Sequence, residues 1–118
     1  MTLRVQMINL DCADVAAQAD FWSQALGVAV DENDGNAFMR TIGYSNPALP
    51  RMMFLAVPEG KTVKNRMHLD LCADDREAEV ARLVGLGAAK RSDHDEWGSR
   101  WTVLTDPEGN EFCVAQDH

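Results

Sequence analysis

Short β-prone runs and stretches of helical spacing alternate along this 118-residue chain, and the alternation occurs twice. Residues 3–10 (LRVQMINL) and 65–72 (NRMHLDLC) each read as a first strand. Each is followed by an aspartate able to accept a bond from the free N–H groups of a first helical turn, Asp14 in one case and Asp74 or Asp75 in the other. Helices are predicted over 15–26 and 76–86, stopped by Gly27 and Gly87. In the second, Glu77, Glu79 and Arg82 form the solvated face, and Val80, Leu83 and Val84 face a core. Strands are then predicted at 38–42, 52–57, 101–105 and 111–115, with edge strands near 28–32 and 88–92. Turn residues mark 33–36 and 45–47. Asp106-Pro107-Glu108-Gly109-Asn110 reads as a hairpin, because proline presets one turn angle and glycine supplies a positive one.

The two halves overlay when the sequence is shifted by 60 positions. Met7 meets Met67, Cys12-Ala13-Asp14 meets Cys72-Ala73-Asp74, Leu26-Gly27 meets Leu86-Gly87, and Ala29 meets Ala89. Two copies are too few for a solenoid. The expectation is an α+β fold in one domain, residues 1–118, built from paired βαβββ modules at about 1–58 and 64–118, with 58–64 as the link.

Parity refines the overlay. Met67, Leu69 and Leu71 form an apolar side that should pack on the helices, leaving Arg66, His68 and Asp70 on the other. In the first copy the apolar side is Ile8 and Leu10. A slip of one residue turns every side chain over, so Met7, not Ile8, is the counterpart of His68, with one residue gained or lost near Cys12. Met52 and Phe54 should point into the helix-facing core.

Composition narrows the function. The net charge is −8, and the eleven basic residues are scattered rather than striped, which disfavours nucleic acid and anionic membranes. Such a charge serves solubility or attracts a cationic ligand. No apolar run approaches a membrane span, and the N-terminus has no signal-peptide pattern. Cys12, Cys72 and Cys113 form no CxxC pair, so reduced thiols in the cytoplasm are expected; Cys12 and Cys72, just before helix caps, look structural. Signatures of nucleophile elbows, phosphate loops and HExxH metal helices are absent.

The segments DFWSQALGV (20–28), HLDLCADD (68–75) and DPEGNEFCV (106–114), in this order and register, resemble the vicinal oxygen chelate superfamily: glyoxalase I, extradiol dioxygenases, fosfomycin-resistance enzymes and bleomycin-binding proteins. The similarity is greatest to small glyoxalase-like domains and covers nearly the whole chain. It implies a curled mixed sheet with a U-shaped cleft and a homodimer. In metal-using members four ligands enter the cleft, commonly His, Glu, His and Glu, from the first and last strands of each module. Here the corresponding positions are Met7 (or Ile8), Met53 (or Leu55 two residues on), His68 and Cys113. Glu111 shares the side of Cys113 but sits about 7 Å along the strand. Neither first-copy position offers a hard donor, and catalytic Mg²⁺, Mn²⁺ or Fe²⁺ needs several N/O ligands. A metal would have to use His68 and Cys113, completed by Glu111 or Asp70.

The expected reading is therefore a protein that binds a small organic molecule, without metal, in an apolar cleft formed by Met7, Met53, Leu55, His68, Asp70, Trp101, Glu111 and Cys113, as bleomycin-binding relatives sequester a drug. A lyase, isomerase or dioxygenase that is metal-dependent or uses His68 as base, and a non-catalytic domain with a filled cleft, remain alternatives. His68 is either a cleft base or a His paired to Asp70. Cys113 is either a nucleophile, if His68 lowers its pKa, or a small hydrophobe. Trp97 and Trp101 either stack on a ligand or fill space. Phe21-Trp22 reads as core or dimer surface, Arg40 and Arg100 as a carboxylate clamp or exposed strand residues, and His94 as exposed. Glu108 with Glu111 reads as part of a turn rather than a catalytic pair.

Overall fold

The computed structural model describes residues 2–32, 35–46 and 51–117. The chain divides into two compact units, Met1–Gly60 and Lys61–His118. Both are α+β, and each builds a mixed sheet with one helix; unit 2 is a full βαβββ module, and unit 1 has the same plan with its second strand reduced.

In unit 1 the order is β1 (Met7–Cys12), α1 (Val15–Leu26), β2 (Met39–Ile42) and β3 (Arg51–Ala56). The sheet order is β1-β3-β2, with β1 parallel and β2 antiparallel to β3. The edge strand expected at 28–32 is reduced to a single bridge, Val30 to Ile42. Unit 2 contains β4 (Leu69–Ala73), α2 (Arg76–Leu86), β5 (Ala89–Glu96), β6 (Ser99–Thr105) and β7 (Glu111–Gln116), in sheet order β4-β7-β6-β5. Strand β5 runs well beyond the expected 88–92, through the polar stretch Ser92–Glu96, because it pairs residue for residue with β6 to the end of the hairpin. Of the expected turns, residues 33, 34 and 47 lie outside the described residues.

Each helix starts where an aspartate carboxylate accepts a first-turn N–H: Asp14 from Ala17 and Asp75, not Asp74, from Ala78, both at 3.1 Å. Alternation along the strands sends one side into each core. Ile42, Met52 and Phe54 are buried in unit 1 with Trp22 and Phe21, whose rings meet edge to face at 5.3 Å. The Phe21-Trp22 pair is thus core. In unit 2, Leu104, Phe112 and Val114 are buried with Val80 and Leu83 of α2. Val84, expected to face this core, is 45% exposed.

The registers locate the slip between the copies. Ile8 pairs with Met52 and Leu10 with Phe54; Leu69 pairs with Phe112 and Leu71 with Val114. The last strands therefore correspond at a shift of 60 and the first strands at 61. The caps Asp14 and Asp75 also differ by 61, but the terminating Gly27 and Gly87 differ by 60. The missing residue is not near Cys12, as expected, but in the helix itself: α1 has 12 residues and α2 has 11. The buried Trp22 and Leu83 still match at 61, so the loss falls in the last turn. There the Gly87 N–H reaches both Leu83 and Val84, a tightened ending, whereas Gly27 (φ 68°) makes a left-handed cap back to Ser23.

Two further consequences follow for the first strand of unit 2. Strand β4 begins only at Leu69, so Met67 does not join the apolar side; it stands 86% exposed in the bend before the strand. Cys72 shares its side with Asp70 and is exposed, while Cys12, on the helix side of β1, is buried. The sequence mates Cys12 and Cys72 thus face opposite ways.

The hairpin at 106–110 forms as expected. The Asp106 carboxylate accepts the N–H groups of Glu108 at 2.9 Å and Asn110 at 3.0 Å, and Gly109 takes φ 89°.

Candidate functional site

The face of the unit 2 sheet that points away from α2 carries a hollow of about 390 Å³. Strands β4 and β7 supply Asp70, Cys113 and Ala115 to its wall, His68 enters from just before β4, and Trp97, Ser99 and Trp101 come from the β5–β6 hairpin. All seven belong to one unit.

On one side lies a polar group. Asp70 and Cys113 are directly paired in the parallel β4–β7 register, and His68 precedes Asp70 by two, so the three side chains share a face. Nε2 of His68 is 3.3 Å from Oδ1 of Asp70. One ligating atom from each of His68, Asp70 and Cys113 lies within 4.8 Å of the others. The Cys113 thiol is pushed above its ordinary range, first by burial, then by the negative charge of Asp70 and the hydrogen bond to it, with Lys64 opposing. Burial and the Asp70 charge thus weigh against the alternative in which His68 lowers the Cys113 pKa and makes it a nucleophile.

Glu111, expected beside Cys113, is engaged elsewhere. Its carboxylate accepts the Asn65 N–H at 2.9 Å and lies 3.4 Å from Nζ of Lys61. The Asn65 N–H is the main reason its pKa falls below the usual carboxylate range. Glu111 ties down the segment leading to His68 and does not join His68 and Cys113.

Opposite the polar group stands a three-ring array. Trp101 stacks on His94, its cross-strand partner, at 5.0 Å, and on Trp97 at 6.0 Å, with interplanar angles of 14° in both pairs. His94 also shares a 2.8 Å hydrogen bond with Ser92 Oγ. The residue expected to be exposed is half-buried because β5 continues through it and directs it onto Trp101. Trp97 and Gly98 form the two-residue turn of the hairpin, both with positive φ, 54° and 76°, as a type I′ turn demands. Trp97 is the one non-glycine residue with positive φ among the described residues, and it is 88% exposed. A bulky residue there costs about 1–3 kcal/mol.

In unit 1, Met7, Met53 and Leu55 are half-buried on the β1–β3 sheet, and none lines this hollow. By register, Met7, Asn9 and Met53 are the counterparts of His68, Asp70 and Cys113. In unit 1, Nη1 of Arg40 donates to the Asn36 carbonyl; in unit 2, Arg100 is exposed opposite Asp95.

The donor set of His68, Asp70 and Cys113 does not fit a hard octahedral ion such as Mg²⁺, Mn²⁺ or Fe²⁺. An octahedral N/O site needs more than one imidazole and one carboxylate. The group offers one imidazole, one carboxylate and one thiol.

Ser99, Ala115 and the turn position of Trp97 were missed from the sequence. Alternation places Ser99 beside Trp101 and Ala115 beside Cys113. A Trp-Gly pair between alternating runs was the available signal for the turn.

The profile of the glyoxalase-like domain family matches residues 7–115, and the chain belongs to that family, within the vicinal oxygen chelate superfamily. The fold is shared with a glyoxalase/bleomycin resistance protein/dioxygenase family enzyme from Burkholderia phytofirmans PsJN (TM-score 0.77, 20% identity, covering 97% of this chain and 98% of that one). It is shared too with the fosfomycin resistance protein FosX from Mesorhizobium loti (0.72, 11%, 100% and 94%). A third similar structure is the bleomycin-binding protein of Streptomyces verticillus complexed with copper(II)-bleomycin (0.65, 16%, 100% and 99%). Comparison with curated proteins finds no match. No helix among the described residues is long and apolar enough to cross a membrane.

Proposed function

We propose that this protein binds a small organic molecule in the unit 2 hollow, without a metal, and thereby sequesters it. The observation that carries this reading is the hollow itself: about 390 Å³ bounded by two indoles, a thiol and an alanine, with His68 and Asp70 as convergent polar groups. Its size and mixed lining suit a ligand site. A hollow of this size also weighs against a cleft filled by the protein's own side chains. The bleomycin-binding relative offers a precedent for a drug held on this fold. The reading extends to a cytoplasmic homodimer, which sedimentation of the purified protein tests.

Calorimetry and thermal-shift measurements against small organic compounds, with metal analysis of the same sample, test the proposal. A saturable ligand with no stoichiometric metal is expected. Near-stoichiometric metal lost on His68→Ala would overturn it.

The grouping of His68 and Asp70 at 3.3 Å favours a second reading, with His68 as general base of a lyase or isomerase. Substrate turnover abolished by His68→Gln, with binding retained, is the outcome that selects it.

A further inference from the structure

We propose that the ligands of the unit 2 hollow are planar aromatic cations, stacked on Trp101 and Trp97 and paired at one edge with Asp70. The proposal rests on the reading of the hollow as a small-molecule site and specifies what that site selects.

The rings argue for a flat ligand. Trp97, Trp101 and His94 lie nearly parallel, and both indoles line the hollow. A flat ring entering it extends a stack already aligned, and offset parallel stacking is a favoured arrangement of aromatic pairs. Trp97 adds little to the packing of unit 2, because the residue is 88% exposed. It also stands at a turn position that asparagine or glycine fills more readily. An exposed indole held there, against the preference of its backbone, serves a contact on its free face. The volume suits roughly two or three fused rings rather than a large molecule.

The charges argue for a cation. Asp70 is the only residue with a fixed charge in the lining, and its side chain, though it contacts His68 and Cys113, is 74% exposed and so open to a ligand. Indole faces attract cations. Glu96, opposite Ser99 in the β5–β6 register, adds a second carboxylate on this face. Lys64 acts on Cys113 in the opposite sense but is not in the lining. A planar anion of the same area gains the stacking and loses against Asp70.

Three probes separate these contributions by calorimetry on the full chain at low salt: proflavine (a planar cation), 9-anthracenecarboxylate (a planar anion) and tetraethylammonium (a cation that is not flat). Proflavine is expected to bind saturably, at least about tenfold more tightly than either of the others. Asp70→Asn is expected to weaken proflavine about tenfold and to narrow its lead over the anion. Trp97→Asn, which suits the turn, is expected to weaken proflavine by a similar factor. Ala115→Trp fills the hollow and should abolish binding; Ser99→Tyr fills it from the other strand if the first variant does not fold. Equal or tighter binding of the anion, or proflavine affinity unchanged in Asp70→Asn, overturns the cation preference. The hollow then stands as a site if Ala115→Trp still abolishes binding. Proflavine binding that survives both filling variants, or no binding by any probe, overturns the preference and the small-molecule reading together.

Discussion

At equivalent places in two similar frames, unit 1 carries Met7, Asn9 and Met53, and unit 2 carries His68, Asp70 and Cys113. The frames agree wherever backbone groups or core volume must be satisfied: an aspartate cap, a terminating glycine, a parallel first-and-last strand pair, and apolar residues toward the helix. They differ on the sheet face that points away from the helix, where packing imposes no such demand. The chemistry of the chain is concentrated on that face of unit 2. The comparison teaches that duplication supplied the scaffold twice while the candidate site was built on one copy.

The frames can be compared by breaking each core. Phe54 and Phe112 are 0% and 1% exposed. Truncating either to alanine is expected to destabilise the protein by about 3–5 kcal/mol in urea unfolding, from lost burial plus the cavity left behind. A loss below about 1 kcal/mol for Phe112→Ala, with the full loss for Phe54→Ala, would show that the second frame is not packed as the first is.

Two of the three thiols, Cys72 and Cys113, lie on the differing face of unit 2, and Cys12 lies on the helix side of unit 1. Cys12 is buried, Cys72 exposed, and Cys113 half-buried with a raised pKa. The thiolate is the reactive form, so iodoacetamide at pH 8 should label Cys72 first and Cys113 several-fold more slowly. Asp70→Asn removes the neighbouring charge and leaves a weaker, neutral acceptor, and should speed the Cys113 reaction by a few-fold. Mass spectrometry of the labelled peptides reads this out. Cys113 labelling as fast as Cys72 in the unchanged protein would mean that its thiol is activated, contrary to the arrangement with Asp70.

Much of the frame was legible in the sequence because its determinants are local. Cap, helix, terminating glycine and turn each lie within a few residues of one another, and the repeat reports them twice. Strand parity identified Met7 as the mate of His68 from the alternation of Ile8 and Leu10 alone. The position of the slip was not legible, because the identities at Cys12-Ala13-Asp14 hold a shift of 60 where the folded caps require 61. The site was less legible for a different reason. Its members come from β4, β6, β7 and a hairpin turn, and only the strand registers bring them together. His68, Asp70, Trp101 and Cys113 were named from one strand at a time. The stacking of His94 on Trp101 depends on β5 continuing through a stretch that composition marks as polar loop. The diversion of Glu111 to Asn65 depends on a segment with no regular structure at all.

The β5–β6 hairpin tests whether unit 2 has been shaped for a contact at the expense of its own stability. Trp97→Asn relieves about 1–3 kcal/mol of backbone strain and gives up a stacked pair worth about 0.5–1.5 kcal/mol. The expected net is a gain of about 1 kcal/mol in unfolding free energy, alongside weaker binding in the hollow. A variant that is both less stable and unaltered in binding would make Trp97 a structural residue.

The smallest effect expected lies on the helix-facing side of the same sheet. Asp93 of β5 lies 3.1 Å from Nη1 of Arg76 and also pairs with Lys90, and it accepts a 2.7 Å hydrogen bond from Thr102. The hydrogen bond from Lys90, then that from Thr102, hold its pKa down, from 3.8 to about 2. A carboxylate whose pKa is depressed by folding stabilises the folded state fully above its unfolded value, and loses that contribution as the pH falls through the folded value. The window here is from about pH 4 down to about pH 2. Asp93→Asn should therefore melt below the unchanged protein at pH 6, and the gap between the two melting temperatures should close across that window. Asp93 is half exposed, so the gap should be small and should shrink further with added salt. A gap that stays constant from pH 6 to pH 2 would assign the loss to the Thr102 hydrogen bond and not to the charge, and would remove the ionic link between α2 and β5.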